Sequence, residues 1–139
     1  MKICIILIGA PGSGKTTYCR DHLNDYTRIS QDDAGLTGHM EEFNKAIINY
    51  KNIVVDRMNF NRKQRERYIY PAMNNGYYIK IIHLDIDRDT CFNRIVNRED
   101  HPTIEKGDNI TANKALDCFF NNFEPVDQFE YDEYERIIK

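Results

Sequence analysis

The sequence predicts an α/β fold in which an open parallel sheet carries helices on both faces. Three observations predict it: strand-like and helix-like segments alternate along the chain, the connections between them are short, and the first strand is almost continuously apolar. Alternation with short connections is typical of right-handed βαβ units. An unbroken apolar strand is typical of a parallel sheet that is covered on both faces.

The first predicted strand spans residues 2–8, and its β-branched, apolar residues indicate a central position in the sheet. Further strands are predicted at residues 27–30, 52–56 and 77–84. Helical patterns are predicted at residues 15–25, 39–50, 61–74, 87–98 and 111–123. Residues 35–38 are predicted to form a turn, and Asp87 is predicted to cap the helix that follows it.

The 139 residues have the length of one domain, so the whole chain, residues 1–139, is predicted to form a single domain with one site. Apolar residues make up 41% and charged residues 29%, which is a globular and not a disordered balance. The longest apolar run, residues 3–8, is far shorter than the ~20 residues that span a bilayer, so no membrane partner is expected. The four cysteines form no C-x-x-C pair, which predicts reduced thiols in a cytoplasmic protein.

Residues 9–16 read GAPGSGKT and match the phosphate-binding pattern G-x-x-x-x-G-K-[ST] between a strand and a helix. Glycines in such a loop let backbone N–H groups and the positive end of the helix face an anion. Lys15 is predicted to reach the β- and γ-phosphates of ATP or GTP, and the Thr16 hydroxyl to bind Mg²⁺. The predicted nucleotide-binding residues are Gly12, Ser13, Gly14, Lys15, Thr16 and Thr17.

Acidic residues follow the second and third predicted strands, at the sheet edge where ligands bind in open α/β folds. Asp32 and Asp33 follow the second strand, and Asp56 ends the third as Ile-Val-Val-Asp. A kinase needs a carboxylate to accept the proton of the attacking hydroxyl and an acidic group near the metal or the acceptor. The alternative for the Asp32–Asp33 pair is that it caps the next segment. Beside a phosphate loop, we predict that at least one of the pair acts in catalysis.

Arg94 and Arg98 lie four residues apart on one predicted helix and share a face. They lead into a polar loop at residues 99–108, and together residues 94–108 are predicted to form a lid. Over the phosphate loop, the two arginines would clamp the transferring phosphoryl group. The alternative is a solvated charged face.

A second basic group follows Asp56 and is interleaved with aromatic residues. Its members are Arg57, Arg62, Lys63, Arg65 and Arg67, with Phe60, Tyr68 and Tyr70 between them. A basic strip with aromatic rings suits a phosphodiester strand, although such a run is more often a solvated helix face. The net charge of −3 does not oppose this interpretation, because residues 124–139 form an acidic C-terminal segment with six acidic and two basic side chains.

Together these segments resemble the polynucleotide 5′-hydroxyl kinase family, including the kinase modules of phage end-healing enzymes and of fungal tRNA ligases. The resemblance covers roughly residues 2–125 and rests on GAPGSGKT, SQDDAG after the second strand, VVDRMN after the third, and the RIVNR segment of the lid. It implies a three-layer P-loop kinase fold with a short lid.

The resemblance also implies roles for individual residues. Asp32 corresponds to the general base and Asp56 to the carboxylate that binds the acceptor, while Arg94 and Arg98 correspond to the lid arginines. Arg57 and Asn59 match the Asp-Arg-Asn-Asn pattern of the tRNA ligases, whose lid motif is similar to residues 101–104, HPTI. Gly35 stands where phage enzymes carry an arginine for the acceptor phosphate, so Arg57 or Arg62 is expected to take that part.

The function predicted from these features is transfer of the γ-phosphoryl group of ATP or GTP, with Mg²⁺, to the 5′-hydroxyl end of RNA or DNA. The expected partners are therefore a nucleoside triphosphate and nucleic acid 5′-OH ends. Two alternatives stay open: a P-loop kinase that phosphorylates a small metabolite or nucleotide, and a non-catalytic nucleotide-binding regulatory protein.

Overall fold

A computed structural model of the chain describes residues 1–97 and 108–138, and for residues 31–37 it describes the backbone only. The strands form one parallel sheet in the order β2-β3-β1-β4-β5. The strands are β1 (Ile3–Ile8), β2 (Thr27–Ile29), β3 (Ile53–Val55), β4 (Tyr78–Leu84) and β5 (Glu133–Ile137). The helices are α1 (Lys15–His22), α2 (Gln31–Ile48), α3 (Arg62–Asn74), α4 (Arg88–Asn97) and α5 (Asn109–Asn122). The predicted α/β fold with an open parallel sheet is confirmed.

The core of the molecule lies around β1, which pairs with β3 on one side and β4 on the other. Residues 4–8 are each at most 2% exposed, so side chains on both faces of this strand are buried. Burial on both faces is what an apolar central strand of a parallel sheet requires. Helix α3 packs against β1 and β4, and α4 packs against α5.

Helix α2 begins at Gln31, so the predicted turn at residues 35–38 is wrong. A glycine inside a helix costs about 1 kcal/mol relative to alanine, and this chain has one at each end of the supposed turn. The cost is offset because His39, Phe43 and Ala46 repeat on one face of α2 and are buried. As a result, Asp32 and Asp33 lie in the first turn of a helix and not at its cap.

Strand β5 lies in the acidic C-terminal segment, where no strand was predicted. Its sequence, Glu-Tyr-Glu-Arg-Ile, does not look like a buried strand, but it pairs with β4 as the outermost strand of the sheet. There Lys80 forms ion pairs with Glu133 at 3.1 Å and with Glu135 at 3.8 Å. Residues 133–137 of the acidic segment are therefore part of the sheet.

The start of α4 agrees with the sequence, since the backbone N–H of Thr90 donates to Asp87 Oδ1 at 2.9 Å. Most of the predicted lid, including Arg98 and residues 101–104, lies outside the described residues. Cys4, Cys19, Cys91 and Cys118 are free thiols. In the described part of the chain, no helix has the length and apolar character needed to cross a membrane.

Candidate active site

The carboxyl ends of β1, β2 and β3 meet at one edge of the sheet. Val55 is aligned with Ile6 of β1 and with Ile29 of β2, so the segments that follow these strands emerge side by side. The N–H of Gly9 donates to the Met58 carbonyl at 3.2 Å, and the N–H of Asp56 donates to the Ile29 carbonyl at 2.8 Å. The phosphate loop, the start of α2 and Asp56 are thus neighbours because of the strand order.

The phosphate loop has a backbone that only glycine allows at its centre. Gly12 has a φ of 79°, and a Cβ at this position would lie 2.6 Å from the Cys91 carbonyl oxygen of α4. Gly14, with a φ of 97°, occupies the N-cap of α1, and no side chain caps this helix. The first-turn N–H groups of α1 therefore face the loop as hydrogen-bond donors for an anion. Ser13 Oγ is buried and has no hydrogen-bond partner among the described residues, which also fits a loop that receives a ligand.

Two cationic side chains lie on this loop. Lys15 Nζ donates to the carbonyl oxygens of Gly9 at 2.9 Å and Ala10 at 3.0 Å. Arg94 Nη1 donates to the Gly12 carbonyl at 3.2 Å, so the structure places this arginine of α4 against the loop. Thr17 is exposed in the first turn of α1. The loop thus carries positive charge from both its own helix and α4.

The hydroxyl of Thr16, the last residue of the loop, lies next to the Asp56 carboxylate. The Thr16 hydroxyl donates to Asp56 Oδ2 at 3.3 Å, and the Asp56 side chain is only 3% exposed. In the described residues no group of three or more His, Cys, Asp or Glu side chains could hold a metal ion. A hydroxyl and one carboxylate nevertheless fit Mg²⁺, which takes few protein oxygens and completes its shell with phosphates and water. Asp56, predicted from the sequence to bind the acceptor, thus sits where it could help Thr16 hold the metal.

Arg28 of β2 belongs to this site, and sequence analysis missed it. Its Nε donates to Asp56 Oδ2 at 2.7 Å, and its Nη2 lies 3.5 Å from the Thr16 hydroxyl. No motif includes Arg28, and a polar residue in a short strand is unremarkable by itself. The available signal was its position next to the end of β2, which the strand order places beside Asp56.

Arg57 is held by a hydrogen-bond chain that joins three elements. Its Nη1 donates to the Tyr68 hydroxyl on α3 at 2.6 Å. The Tyr68 oxygen lies 2.9 Å from Nε2 of His39 on α2, and both of these residues are fully buried. Because a guanidinium only donates, the Tyr68 oxygen accepts from Arg57, which leaves its O–H free to donate to a neutral Nε2. The guanidinium is therefore oriented at the sheet edge, directly after Asp56.

The predicted basic strip is not continuous. Arg65 is fully buried, where its Nε donates to Glu130 Oε1 at 2.8 Å and its Nη1 donates to the Asn59 carbonyl at 2.9 Å. Arg62 is exposed but lies 3.5 Å from the Asp127 carboxylate. The prediction treated the run as one surface, whereas the helical period turns one residue in three or four toward the core. Lys63 and Arg67 remain exposed.

Asn59, predicted to bind substrate, lies beneath the edge. It is 2% exposed, has a φ of 50°, and its Nδ2 donates to the Leu7 carbonyl at 2.7 Å. Its Oδ1 has no hydrogen-bond partner among the described residues. The observed contact ties the segment after β3 to β1. For Asp32 the structure describes the backbone alone, in the first turn of α2.

Solved structures share this architecture. A protein from Chloroflexus aurantiacus that is named as a kinase superposes with a TM-score of 0.73 at 15% identity, over 99% of this chain and 88% of that one. A gluconokinase from Sinorhizobium meliloti gives a TM-score of 0.62 at 14% identity, over 98% of this chain and 82% of that one. At these identities the likeness is one of fold, and the chain has the P-loop kinase fold.

Sequence comparison gives a relative and a family. The chain is 30% identical over 127 residues to transcription factor bHLH140 of Arabidopsis thaliana. The aligned region covers 83% of this chain and 14% of that protein. The chain thus spans only a small part of this relative's length. Residues 36–119, more than half of the chain, match the AAA domain family. This match, which begins within α2 and ends within α5, shows that the chain belongs to the AAA domain family.

Proposed function

We propose that the protein is a phosphotransferase that moves the γ-phosphoryl group of ATP or GTP to a hydroxyl of a small acceptor that carries an anionic group. The observation that carries this proposal is the convergence, at one sheet edge, of the phosphate loop, the Thr16–Asp56 pair and the oriented Arg57. The P-loop kinase fold and the likeness to a gluconokinase support a kinase with a small acceptor.

In this proposal the loop residues Gly12, Ser13, Gly14, Lys15, Thr16 and Thr17 bind the phosphates. Thr16 and Asp56 would hold Mg²⁺, which supplies neutralisation of the charge that develops on the transferring group. Lys15 and Arg94 stabilise the same charge from the two sides of the loop. Asp32, in the first turn of α2, accepts the proton of the acceptor hydroxyl, and Arg98 of the lid joins Arg94.

Arg57 is proposed to bind the anionic group of the acceptor. A guanidinium suits a carboxylate or phosphate because it can donate two parallel hydrogen bonds. The Tyr68 hydroxyl takes one of its N–H groups and so fixes the plane of the rest. The burial of Arg65 removes the centre of the basic strip, which weighs toward a small acceptor rather than a long one.

A second candidate acceptor is the 5′-hydroxyl end of RNA or DNA. One specific observation favours it: Lys63, Arg67 and Tyr70 lie three and four residues apart on α3 and are all exposed, so they share an outward face. Lysine and arginine can contact phosphates there, and a tyrosine ring can stack on a base. In this version Asp56, Arg57 and Arg62 would lie around the terminal nucleotide, and Asn59 would support them from beneath.

The test is phosphate transfer from labelled ATP and GTP, with Mg²⁺, to sugar acids, nucleoside monophosphates and 5′-hydroxyl RNA and DNA oligonucleotides. We expect transfer to a small anionic acceptor, and we expect Asp32→Asn to lower turnover by about 10²- to 10⁴-fold while nucleotide binding is kept. Nucleotide binding without transfer to any acceptor would contradict a kinase and favour the regulatory alternative.

Charge reversal separates the two acceptors. In a Lys63→Glu/Arg67→Glu variant, transfer to a small acceptor should stay unchanged. A Lys45→Glu/Lys51→Glu variant is the matched control, because both lysines are exposed and the charge change is identical. Efficient transfer to oligonucleotides that falls with salt and falls selectively in the first variant would establish the polynucleotide acceptor instead.

A further inference from the structure

Arg28 contacts both residues that could hold the metal. Its Nε and the Thr16 hydroxyl donate to the same Asp56 oxygen, Oδ2, at 2.7 Å and 3.3 Å. Its Nη2 lies 3.5 Å from the Thr16 hydroxyl. One guanidinium thus spans the carboxylate and the hydroxyl of the candidate metal site.

A guanidinium in this position and a divalent cation oppose each other. Both need the Asp56 oxygen, and like charges a few ångströms apart repel strongly where water is scarce. The Asp56 side chain is 3% exposed and the Arg28 side chain 28%, so solvent screens the pair only in part. The ion pair is accordingly a barrier to metal binding as well as a counter-charge for a buried carboxylate.

Arg28 has space to move away. A cavity of about 210 Å³ lies between α1 and β2, and Arg28 and Thr16 line it together with Cys19, Leu23 and Tyr26. The exposed Arg20 also lines this cavity. A rotated Arg28 side chain can therefore leave Asp56 without unpacking the core.

We propose that Arg28 and the divalent cation are alternative partners of Asp56, so that metal binding displaces the Arg28 guanidinium. This inference rests on the proposed function only in assigning the metal to Thr16 and Asp56. It follows that the protein alone holds the metal weakly. Nucleotide phosphates make metal binding favourable, because their oxygens add ligands to the metal and their negative charge attracts it. Binding of the nucleotide and binding of the metal therefore become cooperative.

The test measures Mn²⁺ binding by electron paramagnetic resonance, in the absence and in the presence of ADP. We expect Arg28→Gln to tighten Mn²⁺ binding to the protein alone by about tenfold or more, because the competing charge is gone. Arg20→Gln is the matched control: it removes the same charge from the same cavity, but Arg20 is 72% exposed and pairs with Asp21. It should change the affinity less than about twofold.

Equal Mn²⁺ affinity in Arg28→Gln and Arg20→Gln would overturn the inference, and so would weaker binding in Arg28→Gln. A second measurement needs no variant. In the unmodified protein, the Arg28 Nε–H resonance should be protected from solvent exchange by the Asp56 pair, and Mg²⁺ with ADP should remove this protection. Retained protection at saturating Mg²⁺ and ADP would equally refute displacement. Neither readout requires phosphate transfer, so the inference and the proposed kinase activity can fail separately.

Discussion

Among single residues, Tyr68 contacts the proposed acceptor-binding Arg57 although Tyr68 itself is fully buried. Its ring packs edge-on against Phe43, with centroids 5.3 Å apart and planes at 80°. The hydroxyl is thereby fixed between the Arg57 guanidinium and His39 Nε2. Tyr68 is a positioning residue in this arrangement, since it acts on the acceptor only through Arg57.

Replacing Tyr68 with phenylalanine should keep the ring packing and remove the anchor of Arg57. A hydrogen bond to a charged group contributes roughly 1.5–3 kcal/mol. We therefore expect KM for the acceptor to rise by at least about tenfold, while KM for the nucleotide and kcat change less than about threefold. Initial rates at saturating nucleotide measure the effect.

Tyr77→Phe is the control for this experiment, because its buried hydroxyl donates to the Lys51 carbonyl at 2.7 Å on a different part of the sheet. It should leave both KM values unchanged. If Tyr68→Phe altered nucleotide and acceptor KM equally, the hydroxyl would have a general structural role and not a positioning one.

Among the elements, the C-terminal segment is joined to α3 by a buried ion pair. Arg65 of α3 is fully buried with Glu130, and its Nη2 also donates to the Glu124 carbonyl at 3.0 Å. Glu130 in turn accepts a hydrogen bond from the N–H of Asp127 at 2.8 Å. This bond completes the capping box of a short 3-10 helix, Gln128–Glu130. The segment that leads into β5 is therefore anchored before the strand begins.

Arg65→Met should lower the free energy of unfolding by about 3–5 kcal/mol, because it leaves the Glu130 carboxylate buried without its partner. Arg62→Met should cost less than about 1 kcal/mol, since the Arg62–Asp127 pair is exposed and long. Urea denaturation measures both. An Arg65→Met/Glu130→Leu variant should recover part of the loss, and equal losses in the two single variants would show that the buried pair is not the anchor.

In the whole molecule, one histidine of β4 packs against β5 and the end of α5 and affects how stability depends on pH. His83 stacks on Phe123 with centroids 5.2 Å apart, and its Nδ1 lies 2.9 Å from the Tyr134 hydroxyl. Burial lowers the pKa of His83 below its usual 6.5, although nearby Asp85 acts in the opposite direction. The folded protein thus favours the neutral imidazole.

The stability of the protein should consequently fall as the pH drops below about 6.5. In that range His83 is protonated in the unfolded chain but stays neutral in the folded chain, where its pKa is lower. Acid therefore favours unfolding. Urea denaturation at pH 7.5, 6.5 and 5.5 measures the slope. His83→Gln should flatten it, whereas His22→Gln, at an exposed position, should not. An unchanged slope in His83→Gln would assign the acid sensitivity to other groups.

The sequence by itself determined the parts that depend on neighbours along the chain. An apolar run, a glycine-rich turn and a helix start predicted β1, the phosphate loop and α1 closely, because their geometry follows from local backbone and side-chain preferences. The Asp87 cap was predictable for the same reason.

Only the tertiary structure decided what depends on residues far apart. Strand β5 forms because β4 has a free side with which it can pair and because Lys80 forms ion pairs with its glutamates. Helix α2 extends through two glycines because the packing of one of its faces offsets their cost. Arg65 is buried and Arg28 reaches Asp56 because helical phase and strand order bring distant charges together. The energies of such ion pairs depend on residues far apart in the sequence. The positions of the charged residues in the site could therefore not be predicted from the local sequence.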